Sequence, residues 1–170
     1  MCNQQEERAM TDVQVKIIER MRKIIPHIKH CAVLGIDVVS ADIGKIKLIL
    51  PYSDHIIGNV DTGTVSGGTL TSLMDTACGF AGVAALSKPS LMPTLDLRID
   101  YMSAGEPGLD IVGEAEAYRV TNNVVFCRGI AYHEGQQDNP IAHCTATFMR
   151  LDPKLMADAV ANRDKSSESK

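Results

Sequence analysis

From Thr11 onward the chain sorts its side chains onto two faces. Val13, Ile17, Met21, Ile24 and Ile25 lie on one, and Lys16, Glu19, Arg20 and Lys23 on the other. Apolar residues at that spacing predict an amphipathic α-helix. Thr11 and Gln14 open it as a capping box, and Pro26 closes it, because the residue before a proline is driven out of the helical region. Its basic face is read as solvated, with contact to an anionic ligand or a membrane surface as the alternative. Two strands are expected next, around a turn at Ala41-Asp42; Ile46, Leu48 and Leu50 alternate with Lys45 and Lys47 in the second. A loop over 51–65 leads to a nearly uncharged stretch over 65–86. Four further strands are expected over 94–101, 109–120, 124–133 and 141–151. A short helix over 153–161 and a charged tail, expected to be disordered, close the chain.

The 65–86 stretch holds 22 residues and one charge, Asp75. Its length would permit a membrane span, but an aspartate near the centre costs roughly 2.5–3.5 kcal/mol there. The stretch is also rich in Gly, Ser and Thr and lacks basic flanks. It is therefore read as a helix buried within the protein. A helix apolar nearly all round must be enclosed, and the strands can enclose it only as one antiparallel sheet curling around it. The expected fold is α+β, with an N-terminal helical segment at 1–32, the sheet-and-helix domain at 33–152 and a C-terminal helix and tail at 153–170. A single sheet covers one side, leaving helix surface and a strand edge exposed. A second copy of the chain would cover both, so a homodimer is expected.

Composition removes several function classes. There is no tryptophan, aromatics are 4% of the 170 residues and the net charge is −4 with no basic run. Stacking platforms and phosphate-neutralising charge are thus both scarce, and nucleic acid is not expected as a partner. The five cysteines are scattered and form no C-x-x-C pair. They read as small apolar side chains in a reducing compartment. The opening residues are polar and acidic and do not read as a secretory signal, so a cytoplasmic location is expected. No metal site and no resident cofactor are expected.

The chemistry concentrates in IGNVDTGTVSGGTLTSLMDTACGFA, residues 57–81. Ser66 is a plausible N-cap, and Gly67 and Gly68 begin the helix and let another molecule approach the backbone. Free first-turn amides, backed by the helix dipole, favour developing negative charge. Such amides can serve as an oxyanion hole; a plain turn and cap explains the glycines equally well. Asp75 is the only ionisable carboxylate of the helix, and a buried carboxylate needs partners or a purpose. A structural aspartate at a subunit interface is the alternative. Asn59 either orients a carbonyl or water, or makes an Asx-turn in its own loop.

The run Asn59-x-x-x-Gly63-x-x-Ser66-Gly67-Gly68, followed by Leu70, Leu73 and Asp75, resembles the hotdog-fold thioesterases of the phenylacetate-pathway type. So does the strand from Thr94 to Tyr101-Met102. The likeness covers roughly residues 33–150. It implies a curved sheet around a central helix, hydrolysis of acyl-CoA thioesters and a site shared between two subunits of a dimer or tetramer. On that likeness Gly67 would polarise the thioester carbonyl, and Asp75 from the facing subunit would be nucleophile or general base. Asn59 would help position the reacting groups, Thr94 would orient the attacking water, and Ser66 and Gly68 would contact substrate. Coenzyme A would enter as part of the substrate. The family usually carries histidine where Ser66 stands, and serine cannot supply an imidazole's hydrogen bonds or charge. A non-catalytic acyl-thioester binding protein on the same fold is the alternative. A hotdog hydratase or dehydratase would want a histidine near the helix start, and His55 lies well before the glycines.

Overall fold

The computed structural model describes residues 12–87 and 90–151. The capping box at Thr11, the helix expected over 153–161 and the charged tail lie outside the described residues. Helix α1 spans Asp12–Ile24 and stops ahead of Pro26, which sits in a single 3₁₀ turn, Ile25–His27. A second short helix, α2, follows over Lys29–Leu34 and ends at Gly35 in the left-handed region at φ 72°. Met21, Ile25, Cys31 and Leu34 are buried, so this segment is anchored to the body of the protein.

Strands β1 (Asp37–Asp42) and β2 (Lys45–Leu50) form a hairpin. Its turn is at Ile43-Gly44, two residues later than the expected Ala41-Asp42. Gly44 has φ 68°, a conformation open to glycine at little cost, whereas Ala41 and Asp42 pair with Ile46 and Lys45 in the ladder. The stretch expected to be a plain loop contains a 3₁₀ turn, Asp54–Ile56, and a small hairpin of β3 (Ile57–Asn59) and β4 (Thr64–Val65). Helix α3 runs over Gly67–Ala84. Strands β5 (Thr94–Tyr101), β6 (Ile111–Val120), β7 (Val124–Tyr132) and β8 (Ala142–Met149) complete the domain.

Six strands form one antiparallel sheet in the order β1-β2-β6-β7-β8-β5. The alternation seen in β2 sends Ile46, Leu48 and Leu50 inward, where all three are buried. Helix α3 lies on this inner face with Leu70, Leu73, Met74, Ala77, Cys78 and Ala81 against it, each at most 3% exposed. Burying a large aliphatic side chain contributes about 1.5–3 kcal/mol, so this interface supplies much of the core. Close approach of helix and sheet is made possible by glycine: a Cβ on Gly113 of β6 would come within 2.8 Å of Leu73 Cγ.

Among the described residues, the opposite side of α3 is covered only in part, with α2 reaching Ser72 and Thr76 on one flank. Thr71, Ser72, Asp75, Thr76, Gly79, Phe80 and Val83 are only half-buried, and Gly67 and Gly68 are exposed. Among the described residues, strand β5 pairs with β8 alone and leaves its outer edge free. The apolar run thus resolves into a buried stripe and a partly covered one. Among the described residues, no helix is long and apolar enough to cross a membrane.

Candidate active site

Helix α3 begins at Gly67 with Ser66 in the N-cap position. The Ser66 side chain makes no capping hydrogen bond; its carbonyl accepts the amides of Thr69 (3.1 Å) and Leu70 (3.4 Å). The amides of Gly67 and Gly68 have no acceptor among the described residues. These are two of the orphan donors that every helix start presents, here on exposed backbone at the positive end of the helix dipole.

The first-turn carbonyls are held from the side. Tyr101, at the end of β5, donates its hydroxyl to the Gly67 carbonyl at 2.8 Å, and Thr71 reaches the same oxygen at 3.1 Å. The two hydroxyls are 2.8 Å apart. This clamp fixes the peptide that joins Gly67 to Gly68, and with it the direction of the Gly68 amide. Neither Tyr101 nor Thr71 stood out in the sequence as a member of the site.

Asp75 lies half-buried on the partly covered stripe. Thr94, the first residue of β5, donates its hydroxyl to Asp75 Oδ1 at 2.9 Å, joining two of the sequence-derived candidates within one chain. Oδ2 has no partner among the described residues, so the carboxylate is oriented without being used up. Asp75 is eight residues beyond Gly67, about 12 Å along the axis at 1.5 Å per residue. One carbonyl cannot be within hydrogen-bond reach of both groups of a single chain.

Asn59 stands apart. Its Oδ1 accepts the amides of Asp61 (3.0 Å) and Thr62 (3.4 Å), and its carbonyl accepts that of Gly63 at 2.8 Å. This is an Asx-turn, and the structure does not bring Asn59 to Asp75. Gly63 turns the loop at φ 70°, and Tyr52 donates its hydroxyl to the Gly63 carbonyl at 2.7 Å.

Two thiols near the carboxylate, Cys78 and Cys127, are held in the protonated form. Cys78, one turn past Asp75, is fully buried with its sulfur 3.8 Å from that of Cys144. The hydrogen bond to Cys144, together with burial, holds the Cys78 thiol far above the ordinary range. Burial pushes Cys127 up to about 12. They pack as small apolar groups, and Cys2 lies outside the described residues. Clefts of about 510 and 610 Å³ open on the outer face of the sheet around Lys45 and Glu114, away from Asp75. Among the described residues of a single chain, the Asp75 face is an open surface.

Comparison with known proteins bears on the fold and the family resemblance. The family model of the thioesterase superfamily matches residues 62–139, the stretch from the turn before α3 to the loop after β7. A crystal structure of a Pseudomonas aeruginosa protein superimposes with a TM-score of 0.71 at 50% identity, covering 79% of this chain and 99% of that one. The medium/long-chain acyl-CoA thioesterase YigI of Salmonella typhimurium is 25% identical over 148 residues, 79% of this chain and 92% of its own length. A Halobacterium salinarum protein whose name proposes an esterase is 33% identical over 94 residues, which are 54% of this chain and 61% of that relative. With an antiparallel sheet of six strands packed on one long helix that starts at a glycine pair and carries a single aspartate, the chain has the hotdog fold and over residues 62–139 it resembles the thioesterase superfamily.

Proposed function

We propose that this chain hydrolyses acyl-CoA thioesters to free acid and CoA, in a site that two copies build together. Asp75 carries this proposal. It is the only carboxylate of α3, with one oxygen held by Thr94 at 2.9 Å and the other without a partner among the described residues. The unpaired Gly67 amide supplies a donor for the oxyanion that forms when the carbonyl carbon is attacked. Asp75 of the partner subunit attacks that carbon itself or takes a proton from the water that does. The carbon–sulfur bond then breaks, and the thiolate leaves and takes up a proton drawn from water; where Asp75 has attacked directly, a water then hydrolyses the mixed anhydride, which frees the acid and restores the carboxylate. The Thr94 hydroxyl, whose own proton goes to Asp75, can accept a hydrogen from the attacking water. Ser66 and Gly68 border the substrate at the helix start. The match to the thioesterase-superfamily model over residues 62–139 and the name of YigI support this substrate class.

Thiol release from short, medium, long and aromatic acyl-CoAs, followed with a chromogenic disulfide, tests the activity. Turnover is expected on at least one class. Binding without turnover on any of them would instead mark a non-catalytic acyl-thioester binding protein.

The distance along α3 between Gly67 and Asp75 requires a second copy in this mechanism, and the free edge of β5 offers continuous strand pairing to it. Light scattering at micromolar concentration is expected to report a dimer or tetramer of the 18.4 kDa chain. A stable, fully active monomer would be incompatible with the shared site.

A further inference from the structure

His30 precedes Ser72 by 42 residues, yet its Nε2 is 2.9 Å from Ser72 Oγ. The Ser72 hydroxyl has one proton, and it donates to the Gly68 carbonyl at 3.1 Å. With that proton on the Gly68 carbonyl, the imidazole is the donor in the other contact, the tautomer in which Nε2 carries the hydrogen and Nδ1 is an acceptor. Nδ1 has no partner among the described residues, and His30 is exposed. The contact is not that of a nucleophile and its base, since nothing orients the imidazole from behind as such a pair requires.

The place of this ring gives it significance. Gly68, Ser72, Asp75 and Gly79 fall within roughly 60° of arc on α3, at about 100° per residue. Ser72 is one turn from Asp75, so His30 flanks the stripe that carries the carboxylate. Its own helix, α2, is firmly seated: Cys31 is buried and its sulfur is 3.9 Å from Thr76 Oγ1, the next turn of the same stripe. The buried His133, by contrast, has both nitrogens engaged. Its Nε2 accepts the Glu106 amide and its Nδ1 meets the Asp110 carbonyl, each at 2.8 Å. His30 has one nitrogen anchored and the other free beside the site.

A free acceptor calls for a ligand with a donor. An acyl tail has none, whereas the pantetheine arm of coenzyme A carries amide N–H groups next to the thioester sulfur. We propose that His30 is a substrate-binding residue that recognises the carrier, its Nδ1 accepting a hydrogen bond from an amide N–H of the arm as the thioester lies along α3. This inference rests on the thioester reading of the site, which it deepens by assigning one residue to the carrier rather than to the acyl group.

The test is His30→Gln. Glutamine keeps an N–H that can reach Ser72, so it rescues a purely structural role, but it lacks the ring's acceptor nitrogen at that position. Steady-state rates are measured on an acyl-CoA and on the 2-mercaptoethanol thioester of the same acid, which has no amide. The expected result is a rise of about fivefold in KM for the acyl-CoA relative to that for the amide-free thioester, the scale of one hydrogen bond. The loss should appear in KM and not in kcat. An unchanged ratio of the two KM values overturns the inference while leaving the hydrolase intact. A wild-type chain that neither hydrolyses acyl-CoA nor binds it by calorimetry removes the underlying reading, and the inference with it.

Discussion

Asp75→Asn is expected to reduce kcat on acyl-CoA by roughly 10²-fold or more, the scale of general-base and nucleophilic effects. Asparagine has nearly the same shape and still offers an oxygen to the Thr94 hydroxyl, which donates to Oδ1 at 2.9 Å in the wild type. What it lacks is the charge, basicity and nucleophilicity of the second oxygen. Because the side chain is only half-buried, removing its charge should change folding stability little. Melting temperature and oligomer size are therefore expected to match the wild type. An aspartate with a purely structural role predicts the reverse, lost stability or assembly with full specific activity in whatever remains folded. Rates measured beside thermal melts and light scattering separate the two, and a well-assembled Asp75→Asn protein at wild-type rates would remove the mechanism's central residue.

Gly67→Pro is expected to lower turnover by on the order of 10²–10³-fold, the cost of losing one oxyanion donor, while the chain still folds. Proline deletes the amide outright, and the first helical position is where it is best tolerated. The preceding residue is already suitable: Ser66 has φ −63° and ψ 132°, within the region a proline imposes on its neighbour. One complication is local crowding, since a Cβ at Gly67 would lie 3.4 Å from the Tyr101 ring carbon and hydroxyl. Gly67→Ala controls for it, because alanine meets the same Tyr101 atoms but keeps the N–H. Alanine is expected to retain most of the rate that proline loses. Equal losses in both variants would trace the effect to displacement of Tyr101 and its hold on the Gly67 carbonyl, and the amide would lose its role.

The clamp on the helix start ties these expectations to the fold. Tyr101 reaches Gly67 from the end of β5, and Thr94 reaches Asp75 from its beginning. One edge strand thus positions both the helix start and the carboxylate of its own chain. Among the described residues the same strand pairs on one side only, leaving the edge that a second copy would use in the proposed assembly. Under the proposed mechanism, assembly and orientation of the reacting groups would both depend on a single eight-residue element.

The elements themselves were legible in the sequence where periodicity was strong. Alternation in Ile46-Leu48-Leu50 and across 94–101 marked strands that the structure contains, and the uncharged run over 65–86 marked α3. The lone carboxylate and the glycine pair were visible for the same reason: backbone geometry decides locally which residues share a face and which carry no Cβ. Periodicity failed where its signal was weak. Strand β1, DVVSAD, is exposed or half-buried throughout, so its end could not be read and the turn was placed at Ala41-Asp42 instead of Ile43-Gly44. Helix α2 is too short, at six residues, to show a period. For Asn59 both an orienting role and an Asx-turn were open, and the local amides of Asp61 and Thr62 occupy its side chain. The meetings that build the site belong to the tertiary structure alone. Thr94 finds Asp75 across 19 residues, Tyr101 finds Gly67 across 34 and His30 finds Ser72 across 42. Each depends on which strand takes the sheet edge and on which flank of α3 receives α2. Those choices are set by packing the whole inner face at once, and no local spacing encodes them.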